Sequence, residues 1–308
     1  MDRIALLLKS YAGDLEYARR LVDSFVLHNS ESLLLHCVVP AADLPLFSSL
    51  AGDSVRLHAE EDLVGDHLVS APVGDLRTSY ANQEIVKLAF WETGLAENYF
   101  CIDSDAVILR DIGAADFMHD ERTPYSVLVE DNDLRVEPRY YREHWVGREE
   151  SVRRIMGEVG LDDPIMRTCH GHQVFSSTVL RSFREDFLAP RGWGYADALA
   201  VSPYEFSWYA MWLQKARPIS LHVREPLVKV FHDEDQHLAS ILMGITADDL
   251  ARGYLAVVVN SNFSRDLGLV PAHEGKPESL APSLSYGEVG RLITAKARDT
   301  WRRRRPGQ

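Results

Sequence analysis

Over the first hundred residues, short apolar runs alternate with segments of helical periodicity. Four runs, 4–8, 33–39, 54–58 and 99–102, have the length and composition of strands. Three segments between them, 14–28, 43–50 and 82–95, have the spacing of helices. This alternation is typical of βα units around a mostly parallel sheet, so it predicts an α/β fold with a Rossmann-type N-terminal half.

The second half of the sequence has a looser pattern, which predicts a mixed α+β region. We expect strands at 125–129, 228–231 and 254–259, a strand pair or strand edge at 171–180, and helices at 149–159 and 203–214. Prolines and glycines then mark 268–284 as a linker. The predicted organisation is a catalytic domain at 1–267, this linker, and a C-terminal helix and tail at 285–308.

Charge and composition exclude several classes of protein. Lys and Arg number 33 against 46 Asp and Glu, a net charge of −13, which argues against a nucleic-acid-binding surface. The 3 cysteines are far apart, as expected of a reducing compartment. No apolar stretch approaches the roughly 20 residues that span a bilayer, and the N-terminus does not resemble a signal peptide. We therefore expect a cytoplasmic protein.

The turn after the first predicted strand lacks the usual phosphate-binding patterns. Its sequence, KSYAGD at 9–14, has neither the GxGxxG fingerprint nor the GxxxxGK[ST] loop. A phosphate ligand in this acidic protein would need a metal ion or local donors. Tyr11 could stack on a nucleobase, and Asp14 could contact the edge of that base or cap the following helix.

Two carboxylates stand one residue apart where the fourth predicted strand ends. The sequence YFCIDSDAVIL brings Asp103 and Asp105 to the carboxyl end of that strand, which is where open α/β sheets bind ligands. Alternate residues of an extended chain project to the same side, so both could hold one ion. Oxygen ligands favour Mg²⁺ or Mn²⁺. The alternative is a polar turn whose aspartates bond to their own backbone.

At these residues the sequence resembles a family. CIDSDAVIL, preceded by the helix NQEIVKLAFWETGL, looks like the DXD motif of GT-A nucleotide-sugar glycosyltransferases. With HGHQVFSS and PYEFSWYAMWL, the chain is most similar to a bacterial family of glycosyltransferase-like proteins that carries the name of a domain of unknown function. The resemblance covers roughly residues 3–259. It implies a GT-A-like fold with an acceptor-side second half.

The resemblance also implies an activity: transfer of a sugar from a nucleotide-diphosphate donor to an acceptor hydroxyl, of a glycan or a lipid-linked glycan precursor. A bound Mn²⁺ or Mg²⁺ would bridge the donor diphosphate. Asp103 would contact the ribose or the metal, and Asp105 would be the more direct ligand. GT-A enzymes often take another ligand from a late strand, for which His232 is the candidate, with Asp233 competing. The alternative for His232 is an exposed turn histidine.

A general base is needed for the acceptor hydroxyl, and Glu205 is the candidate. The competing interpretation is structural. Ser202 fits the N-cap position of a capping box, because a proline follows it and Glu205 is three positions later. In such a box the glutamate side chain accepts a hydrogen bond from the backbone N–H of the N-cap residue.

Two further segments offer polar side chains to a substrate. The segment 169–173, CHGHQ, falls short of a zinc site, yet His172 or Gln173 could line the donor-sugar or acceptor pocket. On the predicted helix before the acidic pair, Gln83 and Lys87 are four residues apart and share a face. Lys87 could contact a donor phosphate and Gln83 the sugar or base, although a solvated face is the ordinary place for a helix lysine.

The segment 285–308 is basic, with seven Lys or Arg against two acidic residues. Its apolar residues recur at helical spacing, so it could lie on an anionic membrane as a peripheral contact or pack on the core with a solvated basic end.

Two other functions fit the acidic pair. A phosphatase of the haloacid-dehalogenase type would use Asp103 as nucleophile and Asp105 as acid/base. That loop normally follows the first strand of its domain, whereas here about a hundred residues precede it. A catalytically silent module that binds a nucleotide sugar is the third candidate. The sequence leaves the oligomeric state open.

Overall fold

The structure is a computed structural model, which describes residues 2–129, 146–165, 168–169, 171–232, 236–237, 239–240, 243–259 and six positions between 287 and 297. Its main body is a five-stranded sheet in the order β3-β2-β1-β4-β8. Four parallel strands, β1 Ala5–Lys9, β2 Leu35–Val39, β3 Val55–Ala59 and β4 Asn98–Ile102, are joined by antiparallel β8 at Val174–Ser176. The prediction of an α/β fold with a mostly parallel sheet is confirmed.

Helices cover both faces of this sheet. Helix α1 (Leu15–His28) packs on one face, because its buried residues Ala18, Leu21, Val22 and Phe25 recur every three or four positions. The chain then forms α2 (Leu44–Phe47), α3 (Glu60–Val64) and α4 (Thr78–Ala89), of which α3 and α4 lie on the opposite face. A 3-10 turn, Phe90–Thr93, extends α4 and ends at Gly94, whose φ of 67° suits glycine.

A smaller sheet continues directly from the large one. Strand β5 (Ala106–Ile108) is antiparallel to β10 (Ala256–Val259), which pairs in parallel with β9 (Val228–Phe231). Two short strands, β6 Leu128–Val129 and β7 Thr168–Cys169, pair separately. Because β4 ends at Ile102 and β5 begins at Ala106, only three residues join the two larger sheets.

The second half adds the helices α5 Ala114–Phe117, α6 Val146–Val159, α7 Ser177–Ser182, α8 Tyr195–Val201, α9 Glu205–Ala216 and α10 Ala247–Ala251. A π-helical stretch, Phe183–Leu188, continues α7. Helix α9 is buried on all sides, since each residue from 205 to 214 is buried. It packs with α4 in the cluster that covers one face of the sheet.

The predicted elements of the N-terminal half are found within a few residues of their expected positions, but parts of the second half differ. The strand pair expected at 171–180 is wrong beyond Ser176, because Val179 and Leu180 belong to a buried helix turn. The strand expected at 125–129 is confined to Leu128–Val129. Helix α3 was not predicted. The linker and most of the C-terminal helix lie outside the described residues.

Candidate active site

The acidic pair lies in the turn that joins the two sheets, at the carboxyl end of β4. The backbone N–H of Ala106 donates to the carbonyl of Asp103 at 3.1 Å, which closes the turn. Asp103 and Asp105 are partly exposed, and the Asp103 side chain is 40% accessible. Ser104 between them is buried. The turn therefore presents two carboxylates at the sheet edge where ligands bind in α/β folds.

Asp103 has two cationic or proton-donating neighbours. Its Oδ1 lies 3.6 Å from the Lys87 Nζ, and its Oδ2 lies 3.4 Å from the His172 Nε2. Burial would raise the pKa of Asp103, but the Lys87 ammonium first and the neighbouring His172 second outweigh burial and hold the pKa below its usual value. Asp103 is therefore an ionised carboxylate at neutral pH.

Lys87 is buried in a cluster of charged side chains rather than solvated on a helix face. Its Nζ donates to the Glu205 Oε1 at 2.9 Å and lies 3.6 Å from the Glu84 Oε2. Burial alone would lower the pKa of Lys87, but Glu205, Glu84 and Asp103 together raise it well above its ordinary value. The solvated interpretation of Lys87 is thus wrong. Gln83, on the same helix, is partly exposed.

Sequence reasoning missed Glu84. It is buried, and its pKa is raised well above the ordinary value by burial first and by the charge of Glu205 second. Burial and the same two glutamates raise the pKa of Tyr80, one helical turn earlier. The only signal in the sequence was the Glu84 to Lys87 spacing of three residues, which usually marks an exposed ion pair.

Glu205 does not form the predicted capping box. Helix α9 begins at Glu205 itself, and Tyr204 is the N-cap residue without a side-chain capping bond. Ser202 instead uses its backbone carbonyl, which accepts from the Trp208 Nε1 at 2.9 Å. The buried ammonium of Lys87, 118 residues away in sequence, is the partner that Glu205 takes. The glutamate is thereby brought to the acidic pair.

Strand β8 brings His172 and Gln173 beside the end of β4. The Cys101 N–H donates to the Gln173 carbonyl at 3.0 Å, so Gln173 stands opposite Cys101 and shares a face of the sheet with Asp103. The Gln173 amide is fully buried, and neither its Nε2 nor its Oε1 has a hydrogen-bond partner among the described residues. Burial chiefly lowers the pKa of His172, which is therefore neutral near pH 7.

The first βα turn contacts the acidic turn. The Ser104 Oγ donates to the Asp14 Oδ2 at 3.2 Å, and Asp14 makes no side-chain capping bond to helix α1. Tyr11 is 48% exposed, and its ring lies so close to Gly13 that a Cβ there would collide with it. Tyr11 and Asp14 thus lie on a loop that is tied to the acidic pair.

The topology places His232 at the same sheet edge as Asp105. Residue 232 follows β9, and Asp105 precedes β5, with β10 between these two strands. The His232 backbone N–H donates to the Gln236 Oε1 at 2.9 Å. Asp233 and His170 lie outside the described residues.

A divalent ion fits the donor chemistry of the acidic turn. Within the described segments, no group of three or more His, Cys, Asp or Glu side chains is arranged to hold a metal. Mg²⁺ is, however, commonly bound through one or two carboxylates, with its other ligands taken from water and substrate phosphates. Asp103 and Asp105 supply that pair of carboxylates.

In the part of the chain that the structure describes, no helix has the length and apolar character to cross a membrane.

Comparisons with known proteins give distant structural likenesses. No family model and no curated protein sequence matches the chain. Mouse xyloside xylosyltransferase 1, apo form, is 13% identical with a TM-score of 0.47, over 85% of this chain and 99% of that chain. The apo structure of the WbbM bifunctional glycosyltransferase is 13% identical with a TM-score of 0.49, over 84% of this chain and 46% of that chain. The resemblance to GT-A nucleotide-sugar glycosyltransferases stays a prediction from the sequence.

Proposed function

We propose that the protein is a glycosyltransferase that moves a sugar from a nucleoside-diphosphate donor to an acceptor hydroxyl. The observation that carries this proposal is the pair Asp103 and Asp105 at the carboxyl end of β4, with the Lys87 ammonium 3.6 Å from the first carboxylate. Two carboxylates and one cation at this edge suit an anionic ligand that brings a divalent ion with it.

We propose that the donor diphosphate lies between the acidic turn and Lys87. Asp103 and Asp105 would hold Mn²⁺ or Mg²⁺, with His232 as a further ligand at the same edge. Such an ion supplies Lewis-acid stabilisation of negative charge on the departing diphosphate. Tyr11 and Asp14 are our candidates for contact with the nucleoside, because their loop is tied to the acidic turn through Ser104.

The sugar would lie against His172 and Gln173. A buried amide that has no partner among the described residues can donate one hydrogen bond and accept another, which matches the two capacities of a sugar hydroxyl. During transfer, the bond from the anomeric carbon to the diphosphate oxygen breaks and a bond to the acceptor oxygen forms. The acceptor hydroxyl loses its proton, which the oxygen of the departing diphosphate can take up; the sequence instead predicts Glu205 as the base. Its burial and its ion pair with Lys87 favour an indirect role instead.

We propose a glycan or a lipid-linked glycan precursor as the acceptor. The basic segment 285–308 would provide peripheral contact with an anionic membrane. This part of the proposal rests on the sequence, because most of that segment lies outside the described residues.

The test measures metal-dependent nucleotide binding. We expect UDP or GDP to raise the melting temperature in the presence of Mn²⁺, and Asp105→Ala to abolish that rise while the melting temperature without ligand stays within a few degrees of wild type. The matched control is Asp53→Ala, an exposed aspartate at the opposite end of the parallel strands. Unchanged nucleotide affinity in Asp105→Ala would contradict the proposal.

The phosphatase alternative is not favoured by the topology. The acidic pair follows β4, the fourth strand in chain order, whereas β1 is followed by Ser10 and Tyr11. Turnover of a generic phosphomonoester that is lost in Asp103→Asn would support the phosphatase. Nucleotide binding without any donor hydrolysis would support the silent binding module.

A further inference from the structure

The two glutamates beside Lys87 are not equivalent. The Glu205 Oε1 accepts a hydrogen bond from the Lys87 Nζ at 2.9 Å, whereas the Glu84 Oε2 lies 3.6 Å from the same nitrogen. The Glu84 Oε2 is also buried without a hydrogen-bond partner among the described residues. An ionised carboxylate oxygen would be costly in that setting, because a buried charge needs hydrogen bonds to replace water.

One glutamate therefore carries the negative charge of this pair. Burial first and the charge of Glu205 second raise the pKa of Glu84, which agrees with a protonated Glu84 beside the Glu205 carboxylate that pairs with Lys87. Glu84 and Glu205 act on each other directly, so the pair holds one proton, because two like charges are not tolerated between neighbouring buried carboxyl groups. The Lys87 ammonium then has two ionised neighbours, Glu205 at 2.9 Å and Asp103 at 3.6 Å.

We propose that Glu205 is a positioning residue that acts through Lys87: it holds the ammonium away from Asp103, which leaves Asp103 free to bind the cation and Lys87 free to meet the donor diphosphate. This inference rests on the proposed function. Glu205 itself touches neither donor nor acceptor in this scheme. The Phe206 ring, 4.8 Å from the Lys87 Nζ, supports the same placement of the ammonium from another side.

The proposal has a physical consequence that a merely structural ion pair lacks. If Glu205 is made neutral and Glu84 is protonated, Asp103 is the one ionised carboxylate within 4 Å of the ammonium among the residues that the structure describes. The ammonium then moves toward Asp103, because opposite charges attract more strongly in a poorly solvated site. The charge of Asp103 is thereby neutralised, and the carboxylate competes less well for a divalent ion.

The experiment titrates the full-length protein with Mn²⁺ alone and follows free Mn²⁺ by electron paramagnetic resonance. We expect Glu205→Gln to weaken Mn²⁺ binding about tenfold. Glu84→Gln, the matched variant on the other side of Lys87, should change it by no more than about twofold, since an amide resembles a protonated carboxyl group. Equal losses in both variants, or no loss in Glu205→Gln, would overturn the proposal.

A double variant tests whether the Lys87 ammonium causes the loss of Mn²⁺ affinity in Glu205→Gln. In Glu205→Gln with Lys87→Met, the competing ammonium is gone, so Mn²⁺ affinity should return to the wild-type level or exceed it. The affinity for UDP or GDP in the presence of Mn²⁺ should nevertheless stay at least about tenfold below wild type, because the phosphate contact is lost. Removing both members of a buried ion pair is better tolerated than removing one, so the fold should persist.

The failure of this inference can be told from the failure of the proposed function. If Asp105→Ala binds Mn²⁺ as tightly as wild type, the cation site itself is misplaced and the proposed function fails. If Asp105→Ala loses Mn²⁺ but the double variant stays as weak as Glu205→Gln, the cation site stands and the positioning role of Glu205 is overturned.

Discussion

The two faces of the five-stranded sheet differ in chemistry. The strand residues that face helix α1 include Leu6, Leu8, Leu35 and Phe100, all in one apolar cluster, with Asn98 and Ser176 as polar residues at the far end. The opposite face, under α3, α4 and α9, has its own apolar cluster but also carries charged and titratable groups. On the strands or just after them, these groups include Lys9, His36, His58 and Asp103.

One face of the sheet thus contributes mainly to stability, and the other carries the side chains of the candidate site. On the α1 face, burial of hydrocarbon stabilises the fold and needs no specific partner. On the other face, each buried charge depends on a particular partner: Lys9 on Glu60 at 2.8 Å, Lys87 on Glu205 at 2.9 Å. Such pairs add little net stability compared with apolar packing, but removal of one partner is costly. This face therefore supports the acidic turn with charged pairs, and the stability of the fold is more sensitive to substitution there.

Lys87→Met should have the largest effect. It leaves Glu205 and Asp103 without their shared cation, and loss of one partner of a buried ion pair costs about 3–5 kcal/mol. We expect a marked fall in the free energy of unfolding by urea and loss of nucleotide binding in the molecules that remain folded. Lys215→Met, at an exposed lysine on α9, should cost less than about 1 kcal/mol. Equal effects of the two variants would contradict the contrast between the faces.

Leu21→Ala tests the other face. Leu21 is fully buried between α1 and the sheet, and a leucine to alanine change in a core costs about 2–5 kcal/mol. Urea unfolding should show a loss toward the lower part of that range. The affinity for UDP or GDP with Mn²⁺, corrected for the folded fraction, should stay within about twofold of wild type. A larger loss of affinity would mean that the α1 face contributes to the site.

His36→Gln should have the smallest effect, confined to a pH window. Burial, with a smaller contribution from His58, lowers the pKa of His36 to about 4, while an unfolded histidine titrates near pH 6.5. Between these values the unfolded chain binds more protons, so wild-type stability falls as the pH falls from 6.5 toward 4. The variant should lose about 1–2 kcal/mol less than wild type over this window. Parallel curves of melting temperature against pH would contradict the assignment.

The sequence predicted the sheet well because its signals are local. The apolar runs of β1 to β4 are each bounded by polar or turn residues, and strand 228–231 was predicted with the bounds that the structure has. Helix α3 was missed since its five residues, three of them acidic at the start, give too short a window for helical periodicity.

The candidate site was predicted only in part because its contacts are distant in sequence. The acidic pair could be found from its place after a buried strand, and Lys87 from its helix face. The burial of Lys87 depends on Glu205, 118 residues later, and no local pattern records that pairing. The same holds for Glu84, because its spacing of three residues from Lys87 is typical of an ion pair on a helix surface. It holds also for Ser202, which fits the pattern of a helix N-cap although Tyr204 is the N-cap residue of α9.

The three-residue turn between β4 and β5 has a consequence for how the two aspartates are spaced. Strand β4 pairs with β1 in the large sheet, and β5 pairs with β10 in the small sheet. The positions of both ends of the turn are therefore fixed by strand pairing. One inserted or deleted residue would shift β5 by half a pleat, which would expose Ala106 and Ile108 and bury Val107 in their place. The spacing of Asp103 and Asp105 is thus set by the way the two sheets are joined. A change in that spacing would disturb the pairing of β5 as well as the two carboxylates.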